Sequence, residues 1–168
     1  SLLEKFLDGK DIPEEEVMSA LRQATLECRV TPTLCGSSFR YKGVQRLLDA
    51  VINYLPSPLD VSAIKGIDPH KETMAFRQPD KNEPFAALAF KIVTDPYMGR
   101  LTYIRVYSGL LESGGSVQNT NTQKKERVNR ILRMFANKRE DLDRAEAGDI
   151  VAVIGLRKTR TGDSLCDP

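Results

Sequence analysis

Apolar positions recur at helical spacing over the first sixty residues and at strand spacing from residue 85 onward. Leu2, Leu3, Phe6 and Leu7 share one helical face, and Gly9 can end that helix. A second helix is predicted to begin near Pro13, whose missing N–H costs nothing in a first helical turn. Glu14, Glu15 and Glu16 then complement the positive end of the helix dipole, and Val17, Leu21 and Ala24 supply the apolar stripe. Val30 to Cys35 reads as a short strand that Pro32 weakens. Val44, Leu47, Leu48, Val51 and Leu55 stand at i, i+3, i+4, i+7 and i+11, which predicts an amphipathic helix ended by Pro56-Ser57-Pro58.

Residues 65–83 are polar and irregular and read as a linker or long exposed loop, with a solvated His70. Beyond it the period changes. Ala87, Ala89, Lys91 and Val93 alternate with Leu88, Phe90 and Ile92, and Leu101, Tyr103, Arg105 and Tyr107 alternate with Thr102, Ile104 and Val106. Ser108-Gly109, Ser113-Gly114-Gly115 and two Gly-Asp turns punctuate the rest, and Gly148 to Leu156 holds a buried strand. Short strands separated by glycine-rich turns predict a sheet closed into a barrel. One segment conflicts: Val128, Ile131, Leu132 and Phe135 fit a helical period better than a strand period.

Composition adds little to this picture and charge adds more. With 40% hydrophobic and 29% charged residues, the 168-residue chain has the make-up of one or two soluble globular domains. It contains no run of roughly 18 apolar residues and no signal-peptide pattern. A chain without a starting Met suits a fragment or a processed product. Cys28, Cys35 and Cys166 include no C-x-x-C pair and His70 is remote from them, so no metal is expected and the thiols suit a reducing cytosol. Residues 1–60 carry 7 basic and 9 acidic side chains, whereas residues 61–168 carry 18 and 14. The excess concentrates near Lys124, Lys125, Arg127 and Arg130, as a phosphate-contacting surface requires. No nucleophile–base pair can be assembled around the single histidine, so no catalytic residue is expected.

Three groups of residues carry a family resemblance. Gly36-Ser37-Ser38-Phe39 followed by Lys42-Gly43-Val44-Gln45 and Tyr54-Leu55-Pro56-Ser57-Pro58 resembles the last loop and helix of the GTPase domain of bacterial elongation factor G. Glu83 to Lys91 resembles the first strand of the following barrel, and Arg105-Val106-Tyr107-Ser108-Gly109, Ala147-Gly148-Asp149 and Thr161-Gly162-Asp163 continue the match. The resemblance implies an α+β chain in three parts: residues 1–60 as the α/β tail of a P-loop GTPase domain, 61–83 as a linker, and 84–168 as an all-β translation-factor barrel. It makes residues 126–139 strand. It also implies a cytoplasmic GTPase that drives translocation of tRNA and mRNA, using GTP or GDP with Mg2+ in the full-length protein.

In that family the loop matching Ser37, Ser38 and Phe39 closes over the guanine base. Here Ser38 stands where alanine is usual, and Phe39 where leucine or lysine is commoner. The chain contains no G-x-x-x-x-G-K-[ST], no Asp-Thr-Pro-Gly-His and no Asn-Lys-x-Asp. No bound cofactor and no GTP hydrolysis are therefore expected of these 168 residues. The resemblance gives the second domain small-subunit ribosomal RNA and the parent protein's other domains as partners. Arg100, Arg105, Lys124, Lys125, Arg127 and Arg130 are the RNA-contact candidates. Ribosomal-protection tetracycline-resistance proteins, peptide chain release factor three and the back-translocating paralogue share this architecture. A stand-alone RNA-binding barrel using Tyr97, Tyr103 and Tyr107 as stacking platforms, or a pure interaction module, would fit the same elements.

Overall fold

The computed structural model describes residues 2–61, 63–68, 73–136 and 138–168. His70 lies outside them. The chain forms two compact units, Ser1–Asp60 and Val61–Pro168.

The first unit holds α1 (Leu2–Leu7), α2 (Glu14–Leu26), a 3-10 turn at Ser38–Arg40 and α3 (Val44–Tyr54). Pro13 is the N-cap residue of α2, and the three glutamates occupy its first turn. The Arg22 guanidinium ties this unit together. It donates to the Asn53 carbonyl at 2.8 Å and to Asp60 Oδ2 at 2.7 Å. The strand expected at Val30–Cys35 does not form, because among the described residues of this unit there is no strand to pair with it and Pro32 has no N–H to offer. Ala50 is the one buried apolar side chain described in the unit. Phe6, Leu7 and Ile52 remain about three-quarters exposed.

The second unit is β throughout. Residues read as a linker instead carry an antiparallel ribbon of β1 (Ile64–Ile67) and β2 (Met74–Arg77). Four residues per strand, with Ile67 and Met74 turned to solvent, leave no alternation for the eye to find. The strands that follow are β3 (Ala86–Asp95), β4 (Gly99–Ser108), β5 (Leu110–Glu112), β6 (Ser116–Asn119), β7 (Lys124–Arg127), β8 (Arg130–Phe135), β9 (Lys138–Leu142), β10 (Arg144–Glu146), β11 (Ile150–Ile154) and β12 (Ser164–Cys166). Eight of them pair antiparallel in the order β7-β6-β12-β3-β4-β11-β8-β9, and β5 pairs with β10. The sheet curls around one core, to which β3 gives Ala87 and Ala89, β4 Ile104 and Val106, and β11 Val151 and Val153. A bulge between Ala89 and Lys91 resets the alternation of β3.

A smaller cluster of Leu101, Leu132 and Ala152 lies apart from that core, with Tyr103 and Met134 packed on it. This explains the conflict at residues 126–139, whose described elements are strands. Ile131 points into the main core and Leu132 into the second cluster, so β8 is buried on both faces. Adjacent apolar residues then mimic the i, i+1, i+4 signature of a helix.

Candidate nucleic-acid interface

Register gathers three connections at one end of the barrel. The β3–β4 hairpin turns at residues 96–98. Ser164, which opens β12, pairs with Leu88 of β3, and Leu165 pairs with Asn119 at the end of β6. Val153, near the end of β11, pairs with Thr102 near the start of β4. The β3–β4 turn, the β6–β7 turn and the β11–β12 loop therefore emerge together.

Where they meet there is a cleft of about 720 Å3, lined by Arg100, Asn121, Thr122, Lys124, Arg157, Lys158, Arg160 and Asp163. Five cations face one carboxylate. Among the described residues none of the five is in an ion pair with an acid.

The loop carrying three of those cations is held from beneath by buried polar groups. Glu126, on the inward face of β7, accepts from Thr159 Oγ1 at 2.6 Å and from the Lys158 N–H at 2.7 Å. Asp163 Oδ2 accepts from Asn119 Nδ2 at 2.7 Å and from the Arg160 N–H at 2.8 Å, while Asn119 Oδ1 accepts the N–H groups of Asn121 and Thr122 at 3.0 Å. Arg100 donates to the Thr159 carbonyl. Buried polar groups satisfied on every side fix a loop's shape. At the head of this loop Gly155 has φ +122°, and a Cβ there would collide with the Arg127 carbonyl and sit 2.9 Å from Asn129 N. Only glycine lets the chain pass so close.

The six RNA-contact candidates fall in four places. Arg100 and Lys124 enter the cleft. Lys125 and Arg127 sit on the opposite face of β7 from Glu126 and are exposed. Arg130 is engaged by Asp141 through two hydrogen bonds, of 2.8 and 2.7 Å, which raise the guanidinium's pKa and lower that of the carboxyl. Arg105 lies over the Tyr107 ring, 5.3 Å from its centroid. Of the candidate stacking platforms, Tyr103 packs on the second cluster and Tyr97 is 87% exposed. Arg157, Lys158 and Arg160 were not among the candidates. Their signal, three cations in four residues directly after a buried strand, is plain in the sequence, but the longer basic run at 124–144 outweighed it.

In the first unit, Ser37, Ser38 and Phe39 form a tight loop closed by an antiparallel bridge from Ser37 to Lys42. Its glycines cross closely: a Cβ on Gly36 would lie 2.8 Å from the Lys42 carbonyl oxygen. Phe39 is 93% exposed. The opening N–H groups of the turn at Ser38–Arg40 have no partner within the turn, which suits contact with a base edge. Residues 36–43 contain no acidic side chain that could serve as a magnesium ligand.

No described helix is long and apolar enough to cross a membrane, and no cluster of metal-ligating side chains occurs among the described residues. A solved protein from Thermus thermophilus is 26% identical to this chain and superposes with a TM-score of 0.67, over 99% of this chain and 22% of that one. The chain thus spans about a fifth of that relative's length. The profile of the family Elongation factor G domain 2 matches residues 84–168, which are β3 to β12 with their loops. With the barrel, its two Gly-Asp turns and that match in agreement, the chain belongs to the Elongation factor G domain 2 family.

Proposed function

We propose that this chain is the central part of a bacterial elongation factor G, the GTPase that promotes translocation of tRNA and mRNA on the ribosome. Its barrel contributes binding to small-subunit ribosomal RNA and contacts to the other domains of the parent. The observation that carries this reading is the family match over the whole barrel, joined to a structural likeness that continues through residues 1–60. The five-cation cleft at one end of the barrel supports an RNA partner, because phosphate neutralisation by Arg and Lys dominates such binding.

Catalysis lies outside these residues. Phosphoryl transfer requires a phosphate-cradling loop and a magnesium site, and the sequence has neither the loop motif nor the guanine-selecting Asn-Lys-x-Asp. Ser37, Ser38 and Phe39 would contribute base contacts within a complete GTPase domain. The cytoplasm is where such a factor works.

Fluorescence anisotropy of the labelled 168-residue chain with purified small ribosomal subunits tests the reading. Saturable binding that weakens steeply with added KCl is expected, with no heat of GTP binding by calorimetry. Equal affinity for isolated large subunits, or tight GTP binding by the chain, would refute it.

A further inference from the structure

We propose that the outer face of β3, β4 and β11 is a separate binding surface, for an extended segment of a partner protein with the residue order acidic-x-apolar-x-acidic. It is independent of the basic cleft and of ribosomal RNA.

Charge sets the sign of the partner. Lys91 and Arg105 stand on this face, and β4, β11 and β3 as far as Thr94 contain no acidic residue. Neither cation makes a hydrogen bond or ion pair with a described residue. Arg130 on neighbouring β8, by contrast, has its charge matched by Asp141.

Aromatic rings fix where the two charges sit. The Lys91 ammonium lies over the Tyr103 ring, 5.8 Å from its centroid, and the Arg105 guanidinium lies over Tyr107 at 5.3 Å. A cation seated on a ring gives up less freedom on pairing than a free surface lysine does. The same seating disfavours nucleic acid. Tyr103 already packs on the second cluster and has the Phe90 ring 6.4 Å away, so with Lys91 above it the ring offers a base little room to stack.

Spacing sets the shape of the partner. Tyr103 and Tyr107 are four residues apart on one strand, roughly 14 Å. Alternate residues of an extended segment share a face, so carboxylates at i and i+4 span that distance, whereas a helix would need about nine residues to do so. Ile150 pairs with Arg105, midway between the two tyrosines, and is 56% exposed. An apolar residue at i+2 lands there and removes both side chains from water.

The test is a 15N NMR titration of the whole chain with the end-blocked peptide Gly-Glu-Thr-Leu-Thr-Glu-Gly. Shifts centred on Lys91, Tyr103, Arg105, Tyr107 and Ile150 are expected, with binding that weakens as KCl is added. Changing both peptide glutamates to glutamine should weaken binding about tenfold, at roughly threefold for each ion pair lost. Lys91 and Ile150 are exposed, so Lys91→Gln and Ile150→Ser should both fold, and each should weaken binding about threefold. Absence of shifts at these residues, equal binding of the reordered peptide Gly-Glu-Glu-Leu-Thr-Thr-Gly, or larger shifts there from single-stranded oligouridylate would overturn the assignment.

Discussion

Removing the Glu126 carboxylate should destabilise the barrel and loosen the basic loop in one step. Glu126 is 7% exposed and offers one oxygen to Thr159 Oγ1 and the other to the Lys158 N–H. In Glu126→Ala both donors lose their acceptor. Thr159 is fully buried and bears the larger loss, about 2 kcal/mol; the Lys158 N–H lies where water can reach it, so about 1 kcal/mol is assigned there. Glu126→Gln keeps one acceptor for Lys158 and can donate to the Thr159 hydroxyl, so about 1 kcal/mol in total is expected. At roughly 4 °C per kcal/mol for a unit of this size, the alanine variant should melt about 12 °C and the glutamine variant about 4 °C below the parent. Near-UV circular dichroism reads the barrel transition, and amide hydrogen exchange at Lys158 and Arg160 reads the loop. The reasoning fails if the alanine variant melts within about 2 °C of the parent, or if the two variants are indistinguishable.

Gly155→Ala places a Cβ against the Arg127 carbonyl at a φ that L residues rarely adopt, so a loss of about 3 kcal/mol or more is expected in urea unfolding; an unchanged midpoint would contradict the close approach. The Asp95 carboxyl is held below its ordinary 3.8 by hydrogen bonds from the Met98 and Tyr97 N–H groups, with Arg139 adding a smaller attraction. Its folded value lies below the unfolded one, so its contribution is complete above about 3.8 and fades as pH falls through the folded value. A carboxyl-carbon NMR titration should give an Asp95 midpoint below 3.8, and one at or above it would exclude the turn as the cause. Burial, with Asp167 nearby, pushes the Cys166 thiol up, while Cys28 and Cys35 are exposed. Iodoacetamide at mildly alkaline pH should therefore label Cys28 and Cys35 before Cys166, as peptide mass mapping would reveal; early labelling of Cys166 would refute that burial.

Amphipathic helices were legible wherever one face carried the pattern: α2 begins directly after Pro13, and α3 ends just before Pro56-Ser57-Pro58. A period of two was legible only where one face was buried; β11, buried on both faces, was legible instead as a continuous apolar run between Gly148 and Leu156. In β4, Ile104 and Val106 alternate with half-buried Arg105 and Tyr107, and the period of two is plain. In β8 the burial of both Ile131 and Leu132 erased it, and only the family resemblance gave strand there. The β1–β2 ribbon was illegible for the opposite reason, since neither of its faces is deeply buried. At Val30–Cys35 propensity suggested a strand, but a strand exists only where a neighbour takes its hydrogen bonds.

Which charges act together is a question that sequence distance answers badly. Lys124 and Lys125 are neighbours in the chain, yet β7 sends them to opposite faces, because successive residues of a strand point to opposite sides. Arg100 and Arg160 are far apart in the chain, yet they share a cleft, because β4 and β12 both pair with β3 and so bring their starts to the same end of the barrel. A basic run read linearly thus mixes at least three chemical situations: Lys124 in the cleft, Arg127 on the open face and Arg130 neutralised by Asp141. The informative sequence signal was the shorter one, Arg157-Lys158-Thr159-Arg160, because it contains its own anchor. Thr159 turns inward to Glu126 while the three cations flanking it turn outward, and a loop built that way presents charge from a fixed base.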